Sequence, residues 1–239
     1  MASISIKGIW IHPRLSEIQW ESKISEAILQ QQIAVETFLV QNYGELIEEI
    51  RMGYHTLSIA FGEPIPQKVL EDMLLEIQSA NLVLHALPKK VWKIPVCYGG
   101  TFGKDLDKMA ATKGMSIEDI IELHSNTAYR LYFYGFLPGF MYLGGLDKRL
   151  YTDRKDSPER SVPAGSVAIG GQQTGIYPQD SPGGWHIIGR TPILLFQVEK
   201  EIPMKPSVGE RVQFYPITHD EYRHLEAQVM EKEFIWSHE

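Results

Sequence analysis

The sequence predicts an α+β protein whose N-terminal part alternates strands and helices and whose C-terminal part consists mainly of strands. In residues 1–87, short runs with apolar residues at every second position alternate with runs in which they recur every three or four positions. From Tyr129 onward, short β-like runs are separated by glycine- and proline-rich turns, and little helical periodicity appears before His219. The change of period indicates two domains, residues 1–87 and 88–239.

The N-terminal domain is predicted to contain two strand pairs, each followed by an amphipathic helix. The strands are residues 3–11, 15–21, 45–52 and 55–61, and the helices are residues 22–41 and 66–80. Pro66 suits the first turn of the second helix, where a backbone N–H would have no partner. A further strand follows at residues 91–98. This order is typical of a split β-α-β, ferredoxin-like unit with one added strand.

A helical bridge is predicted at residues 104–126, near the start of the second domain. Gly114 is placed to end its first helix. Ser116 is placed to cap the second helix, and Asp119 three residues later makes a variant of the capping box. His124 shares the apolar face of that helix. A histidine in this position is more often a hydrogen-bonded packing residue than a catalytic base, and the sequence leaves both readings open.

The C-terminal strands include a segment, Val162–Pro192, with seven glycines and four prolines in 31 residues. Apolar residues nevertheless keep strand-like spacing through it: Val162, Val167, Ile169, Ile176, Trp185, Ile187 and Ile188. A flexible linker would lack that spacing. The glycines are therefore predicted at the sharp bends and close backbone approaches of a closed β-barrel.

Composition narrows the classes of function. The 239 residues carry a net charge of −7 without a basic block, so binding of nucleic acid or of an anionic membrane surface is not expected. The single cysteine, Cys97, excludes an internal disulfide, fits a reducing cytoplasm and is expected in a buried strand. No apolar run approaches the roughly 20 residues that span a bilayer. The composition predicts a cytoplasmic location.

Familiar catalytic motifs are absent. The sequence contains neither a phosphate-binding G-x-x-x-x-G-K-[ST] loop nor a G-x-G-x-x-G dinucleotide motif. Ser166 in "AGSVA" lacks both outer glycines of the hydrolase elbow G-x-S-x-G. The histidines show no metal-ligand spacing, and no metal site is predicted. The chain therefore lacks a complete catalytic site of its own among these known types.

Four stretches resemble a known family. They are "IPVCYGG" (94–100), "ELHS" (122–125), "FYGFLPGFMYLGGLD" (133–147) and the segment Val162–Pro192. Together they are similar to the family labelled allophanate hydrolase subunit 1, also known as the B component of 5-oxoprolinase or the histidine-kinase inhibitor KipI. The resemblance is dense over residues 88–215, whereas the N-terminal domain matches in element order.

The resemblance implies a ferredoxin-like domain followed by a cyclophilin-like β-barrel. It also implies a subunit of an ATP-dependent 5-oxoprolinase, which hydrolyses the cyclic amide of 5-oxo-L-proline to L-glutamate. Such a subunit is expected to be active only with a homologous larger subunit and a third subunit, and ATP is expected on this chain or on a partner. Related modules form the carboxyltransferase part of urea carboxylase. The alternative is a regulatory protein that inhibits a sensor histidine kinase; prolyl isomerisation rests on analogy of the barrel alone.

Opening an amide that ATP has phosphorylated requires a cation for phosphate, donors for an oxyanion and a group that places water. The predicted catalytic residues are Arg154, His186 and Arg190, with Arg160 as a further cation. The predicted substrate contacts are Tyr142, Ser166, Gln173, Tyr177 and Trp185. The predicted backbone anion sites are Gly170, Gly171, Gly183 and Gly184. Structural roles stay open for several of these, including an ion pair for Arg190 and a core position for Trp185.

Overall fold

The computed structural model describes residues 5–199, 204–232 and 236–239. It divides into two compact units, Met1–Leu87 and Pro88–Glu239. The first is a sheet with helices and the second is a closed barrel, so the α+β class is confirmed. No helix in these described residues is long and apolar enough to cross a bilayer.

The first unit consists of four strands and two helices. They are β1 (Lys7–His12), β2 (Leu15–Gln19), α1 (Glu26–Tyr43), β3 (Ile47–Met52), β4 (Thr56–Phe61) and α2 (Gln67–Ser79). Residues 3 and 4 of the first predicted strand lie outside the described residues. Along β4, buried Leu57, Ile59 and Phe61 alternate with partly exposed residues, and they pack with the helices in one core.

The sheet of this unit has the order β1-β2-β4-β3, with every neighbouring pair antiparallel. Strand β4 lies between β2 and β3, which α1 connects, so the split β-α-β arrangement is present. A ferredoxin-like domain takes its remaining strand from after the second helix. Here that strand is β1, which precedes the first helix. The ferredoxin-like prediction is therefore not confirmed, and the predicted added strand lies in the second unit.

The second unit contains nine strands and three α-helices within the described residues, with a 3-10 turn at Lys148–Leu150. They are β5 (Val91–Tyr98), α3 (Leu106–Lys113), α4 (Ile117–Ser125), β6 (Ala128–Tyr134), β7 (Met141–Gly144), β8 (Glu159–Val162), β9 (Ser166–Gly170), β10 (Gln173–Ile176), β11 (Ser181–Gly183), β12 (His186–Arg190), β13 (Arg211–Pro216) and α5 (His219–Met230). Seven strands close the barrel in the order β10-β7-β6-β13-β5-β12-β9, and β8 pairs with β11 in a separate ribbon.

The barrel is filled with aliphatic and aromatic side chains, and both bridge helices pack against it. Gly114 ends α3 in the left-handed conformation, with φ of 62°. The Ser116 side chain accepts a hydrogen bond from the Asp119 N–H at 3.0 Å, as the sequence predicts. Cys97 is buried in β5, also as predicted, and burial raises the pKa of its thiol. The bridge is therefore part of the barrel unit.

Candidate functional site

A cationic and aromatic cluster lies where the chain enters β12. The Arg154 guanidinium carbon is 5.6 Å from the centroid of the Trp185 ring, within the range of a cation–π contact. Burial raises the pKa of both Tyr142 and Tyr177, and the positive charge of Arg154 opposes the rise in each case. Two phenols and one indole thus surround this guanidinium. We call Tyr142, Arg154, Tyr177 and Trp185 the Arg154 cluster.

Arg154 is exposed and available to a ligand. Its neighbours in the cluster are neutral aromatic side chains, and it forms no salt bridge with any carboxylate of the described residues. An arginine that carries its charge without a carboxylate partner is suited to binding a carboxylate or phosphate with its two parallel N–H groups.

The backbone on both sides of Arg154 is fixed to the start of β12. The His186 ring donates from Nε2 to the Asp153 carbonyl oxygen at 2.9 Å. The Lys155 N–H donates to the Gly184 carbonyl oxygen at 2.7 Å. Since these bonds flank one residue, they set the position from which the Arg154 side chain extends. His186, predicted as catalytic, is engaged at Nε2 in this backbone contact.

A network of ion pairs also attaches the residue after Arg154 to helix α3. The Lys155 ammonium lies 2.6 Å from Asp105 Oδ2 and also contacts Glu159, which in turn pairs with Lys104. Asp105 Oδ2 also accepts from the Ile187 N–H at 2.7 Å. Burial alone would lower the pKa of Lys155, but its two carboxylate partners outweigh burial and raise it. The network thus connects Lys155, the residue after Arg154, to α3 and β12.

Two glycines leave room for the Trp185 and Tyr177 rings, which we call the aromatic floor of the Arg154 cluster. A Cβ at Gly170 would lie 2.5 Å from the Trp185 ring, and a Cβ at Gly183 would lie 2.3 Å from the Tyr177 hydroxyl. Trp185 is only 5% exposed and meets Phe140 edge to face at 5.5 Å. Because Trp185 is covered in this way, it supports Arg154 from below and presents little surface to a substrate.

Gly171, one residue of the predicted backbone anion site, cannot offer its N–H to an anion. Its N–H donates to the Thr152 carbonyl oxygen at 2.6 Å, so it is not free to bind an anion. Gly184 contributes its carbonyl oxygen to the Lys155 contact already described. At Gly170 and Gly183, close approach of an aromatic ring accounts for the absence of a side chain.

Arg190 lies at the opposite end of β12 and has different neighbours. Its guanidinium is 5.3 Å from the Phe102 ring centroid, and its positive charge opposes the rise that burial causes in the pKa of Tyr222; its Nε is buried without a hydrogen-bond partner. Phe102 and Tyr222 pack at 4.4 Å, which attaches helix α5. Four residues along a strand correspond to about 13 Å. The structure therefore does not bring Arg190 together with His186 and Arg154.

The remaining predicted contacts are less accessible. Ser166 has no exposed surface and lies opposite Arg190 across β9 and β12. Gln173 is partly buried at the start of β10, where it pairs with Gly170. Arg160 is exposed on β8. Ser166 thus offers no surface to a ligand in this conformation, and it contacts the Arg154 cluster only through its carbonyl oxygen, which accepts from the Tyr177 N–H at 2.9 Å.

His124 is fully buried and hydrogen-bonded at both ring nitrogens. The Tyr98 hydroxyl lies 2.7 Å from Nδ1, and Nε2 lies 2.8 Å from the Thr174 hydroxyl, which donates to the Ala168 carbonyl oxygen. Burial lowers the pKa of His124 to about 3, so the ring is neutral at pH 7. The packing role that the sequence favoured is confirmed.

Sequence reasoning missed Lys155 and its partners Asp105, Glu159 and Lys104. One local signal was present, since Lys155 and Glu159 stand four residues apart in the charged stretch beside Arg154. The contact with Asp105 spans 50 residues and had no local signal. In the part of the chain that the structure describes, no three His, Cys, Asp or Glu residues are grouped as metal ligands would be.

Comparison with known proteins finds similarity to carboxyltransferase domains and to components of 5-oxoprolinase. Residues 11–205 match the family model of the carboxyltransferase domain, subdomain C and D. The chain is 40% identical to the B component of 5-oxoprolinase from Haemophilus influenzae over 79% of its own length and 88% of that protein. It is 43% identical to the corresponding 5-oxoprolinase component of Bacillus subtilis over 64% of its length.

The matched part spans 62% of the Bacillus subtilis protein. A crystal structure of the K. lactis urea amidolyase superimposes with a TM-score of 0.84 over 99% of this chain and 16% of that chain. At 19% sequence identity this likeness shows the fold alone. The two-unit architecture thus also occurs inside a much larger enzyme.

Proposed function

The chain belongs to the carboxyltransferase domain family, subdomains C and D, and from that premise we propose that it is a subunit of a 5-oxoprolinase complex. The complex would hydrolyse 5-oxo-L-proline to L-glutamate with consumption of ATP. The observation that carries this proposal is the 40% identity to the Haemophilus influenzae 5-oxoprolinase component over 88% of that relative. The exposed and unpaired Arg154 supports it, since the substrate carries a carboxylate.

The geometry favours a site that other subunits complete. The Arg154 cluster holds one cation without a carboxylate partner, whereas the phosphates of ATP carry several negative charges. The Gly171 N–H, which a phosphate loop would need, is already bound to Thr152. These residues fit one small anion better than a triphosphate. We therefore assign ATP binding to the assembled complex, with a larger homologous subunit and a third subunit as partners.

A cytoplasmic location forms part of the same proposal. Its support is the single buried cysteine, which suits a reducing compartment, and the absence of a basic block in the sequence.

The test is an assay of ADP and glutamate release that depends on 5-oxoproline. The purified chain is assayed alone, then with each proposed partner subunit, and then with both. We expect turnover only in the complete mixture. Turnover by the chain alone would contradict the need for partners. A complete, associated mixture that releases no glutamate would contradict the proposed activity.

A further inference from the structure

We propose that Arg154 binds the carboxylate of the cyclic amide substrate, and that Lys155, Asp105 and His186 are positioning residues that hold Arg154 in place. This inference rests on the proposed function and assigns one part of the substrate to one side chain. Neither the family match nor the names of the relatives assigns a role to these residues.

Arg154 is the cation of this region whose charge is available to a ligand. The described cations around the cluster are mostly engaged: Lys155 contacts Asp105 and Glu159, and Lys104 contacts Glu159. Arg154 has no carboxylate partner within the described residues. A salt bridge to a protein carboxylate would compete with a ligand for the same N–H groups. Arg154 is free of that competition.

The guanidinium also has a fixed neighbour, because it lies 5.6 Å from the centroid of the Trp185 indole, whose own position is fixed by contact with Gly170 and Phe140. A cation–π contact uses the charge of a guanidinium without consuming its N–H donors, which stay available for two parallel hydrogen bonds. A single carboxylate matches that pair of donors. At neutral pH, 5-oxoproline carries one such group beside its uncharged amide.

The backbone on both sides of Arg154 is attached to the start of β12. Asp153 is bound by His186 and Lys155 is bound by Gly184, so both neighbours of Arg154 are fixed to the same segment. The Lys155 ammonium adds the contact to Asp105, which also binds the Ile187 N–H. None of these groups needs to touch the substrate. Their effect on catalysis is predicted to pass through the position of Arg154.

The experiment measures KM for 5-oxoproline and for ATP in the assembled complex with wild-type chain, Arg154→Met and Arg154→Lys. We expect Arg154→Met to raise KM for 5-oxoproline about 100-fold with KM for ATP within about twofold of wild type, because a charge-assisted bidentate contact is lost. Arg154→Lys should recover part of the loss. The control is Arg149→Met, an exposed arginine paired with Asp147, which should leave both constants unchanged.

Lys155→Met tests the positioning role. It should raise KM for 5-oxoproline by about tenfold, and Lys155→Arg should restore it because the ion pairs can re-form. Thermal unfolding of each variant establishes that the measured protein is folded. If Lys155→Arg fails to restore KM in a folded complex, the positioning role is wrong.

The outcomes separate this inference from the proposed function. An unchanged KM for 5-oxoproline in an active Arg154→Met complex overturns the inference and leaves the function intact. A rise in KM for ATP alone would assign Arg154 to a phosphate and also overturn it. The carboxamide analogue of 5-oxoproline adds a second check: wild-type complex that uses acid and carboxamide equally well would contradict carboxylate recognition. A wild-type complex without any turnover would instead refute the proposed function.

Discussion

An arginine lies at each end of strand β12: Arg154 is attached beside its start, and Arg190 is its last residue. The two arginines have different surroundings. At the start of the strand, Arg154 is held by backbone contacts on both sides while its guanidinium remains exposed and without a carboxylate partner. At the end of the strand, Arg190 contacts Phe102 and Tyr222 and attaches helix α5. We propose the first arginine as the one that binds a ligand, whereas the second packs against helix α5.

The difference shows that a nearby glycine-rich segment does not by itself make an arginine functional. Both residues lie beside such loops, and sequence reasoning gave both the same role. What separates them is exposure and surroundings, since Arg154 is exposed at the surface whereas Arg190 is partly buried beside Phe102 and Tyr222. The following predictions test that separation, beginning with the largest expected change in stability.

The buried His124 of helix α4 packs against the barrel, where it contacts Tyr98, Thr174 and Phe214. Its folded pKa of about 3 is far below the ordinary value of 6.5. Between these values the unfolded chain binds a proton that the native ring does not, so the free energy of unfolding decreases as pH falls, by up to about 1.4 kcal/mol per pH unit. Urea unfolding of the wild type and of His124→Gln from pH 7 to pH 4 measures this.

The wild-type minus His124→Gln difference should decrease steadily over that range, because acidic groups titrate in both proteins and cancel. A difference that stays constant with pH would show that the ring is solvated or charged in the native barrel. The barrel core around His124 would then be less well shielded from solvent than its burial indicates.

The floor under Arg154 is tested with Gly170→Ala. The added methyl would meet the Trp185 ring at 2.5 Å, so we expect a loss of about 2–3 kcal/mol in unfolding free energy and a displaced indole. Tryptophan fluorescence and urea unfolding report the two effects. Gly184→Ala is the matched control, since its nearest contact would be 3.6 Å away. Equal stability of the two variants would contradict the account of the floor.

Arg190→Met should lower the unfolding free energy by about 1 kcal/mol, because the cation–π contact with Phe102 is lost while the aliphatic packing is retained. Calorimetry measures this change, and hydrogen exchange in α5 should increase with it. Unchanged exchange in α5 would argue that Arg190 does not attach this helix.

Much of the fold could be predicted because it depends on local patterns. Period-two spacing marked β4, and the glycine and serine at the ends of α3 and α4 marked the limits of those helices. The order of the first sheet was less predictable. The strand pair β1 and β2 was predicted and is present. What was not predicted is that β1 takes the outer edge in place of a strand that follows α2, because this choice depends on pairing between whole strands and the pattern within each strand is the same in either case.

For the candidate site, the sequence predicted which residues form the Arg154 cluster but not how they are arranged in space. Tyr142, Arg154, Tyr177 and Trp185 were all named from the sequence, but their separation from Arg190 was not. That separation follows from the length of β12, because its first and last residues face different neighbours. The contact of Lys155 with Asp105 was equally invisible, since it joins segments 50 residues apart through tertiary structure.

The most direct test of the divided roles compares Arg154→Met and Arg190→Met in the assembled complex, at equal concentrations of folded protein. The quantity measured is kcat/KM for 5-oxoproline from glutamate release. The account predicts a loss of about 100-fold for Arg154→Met, equivalent to about 2.7 kcal/mol, and less than about threefold for Arg190→Met. Equal losses in the two variants, or a larger loss for Arg190→Met, would contradict it.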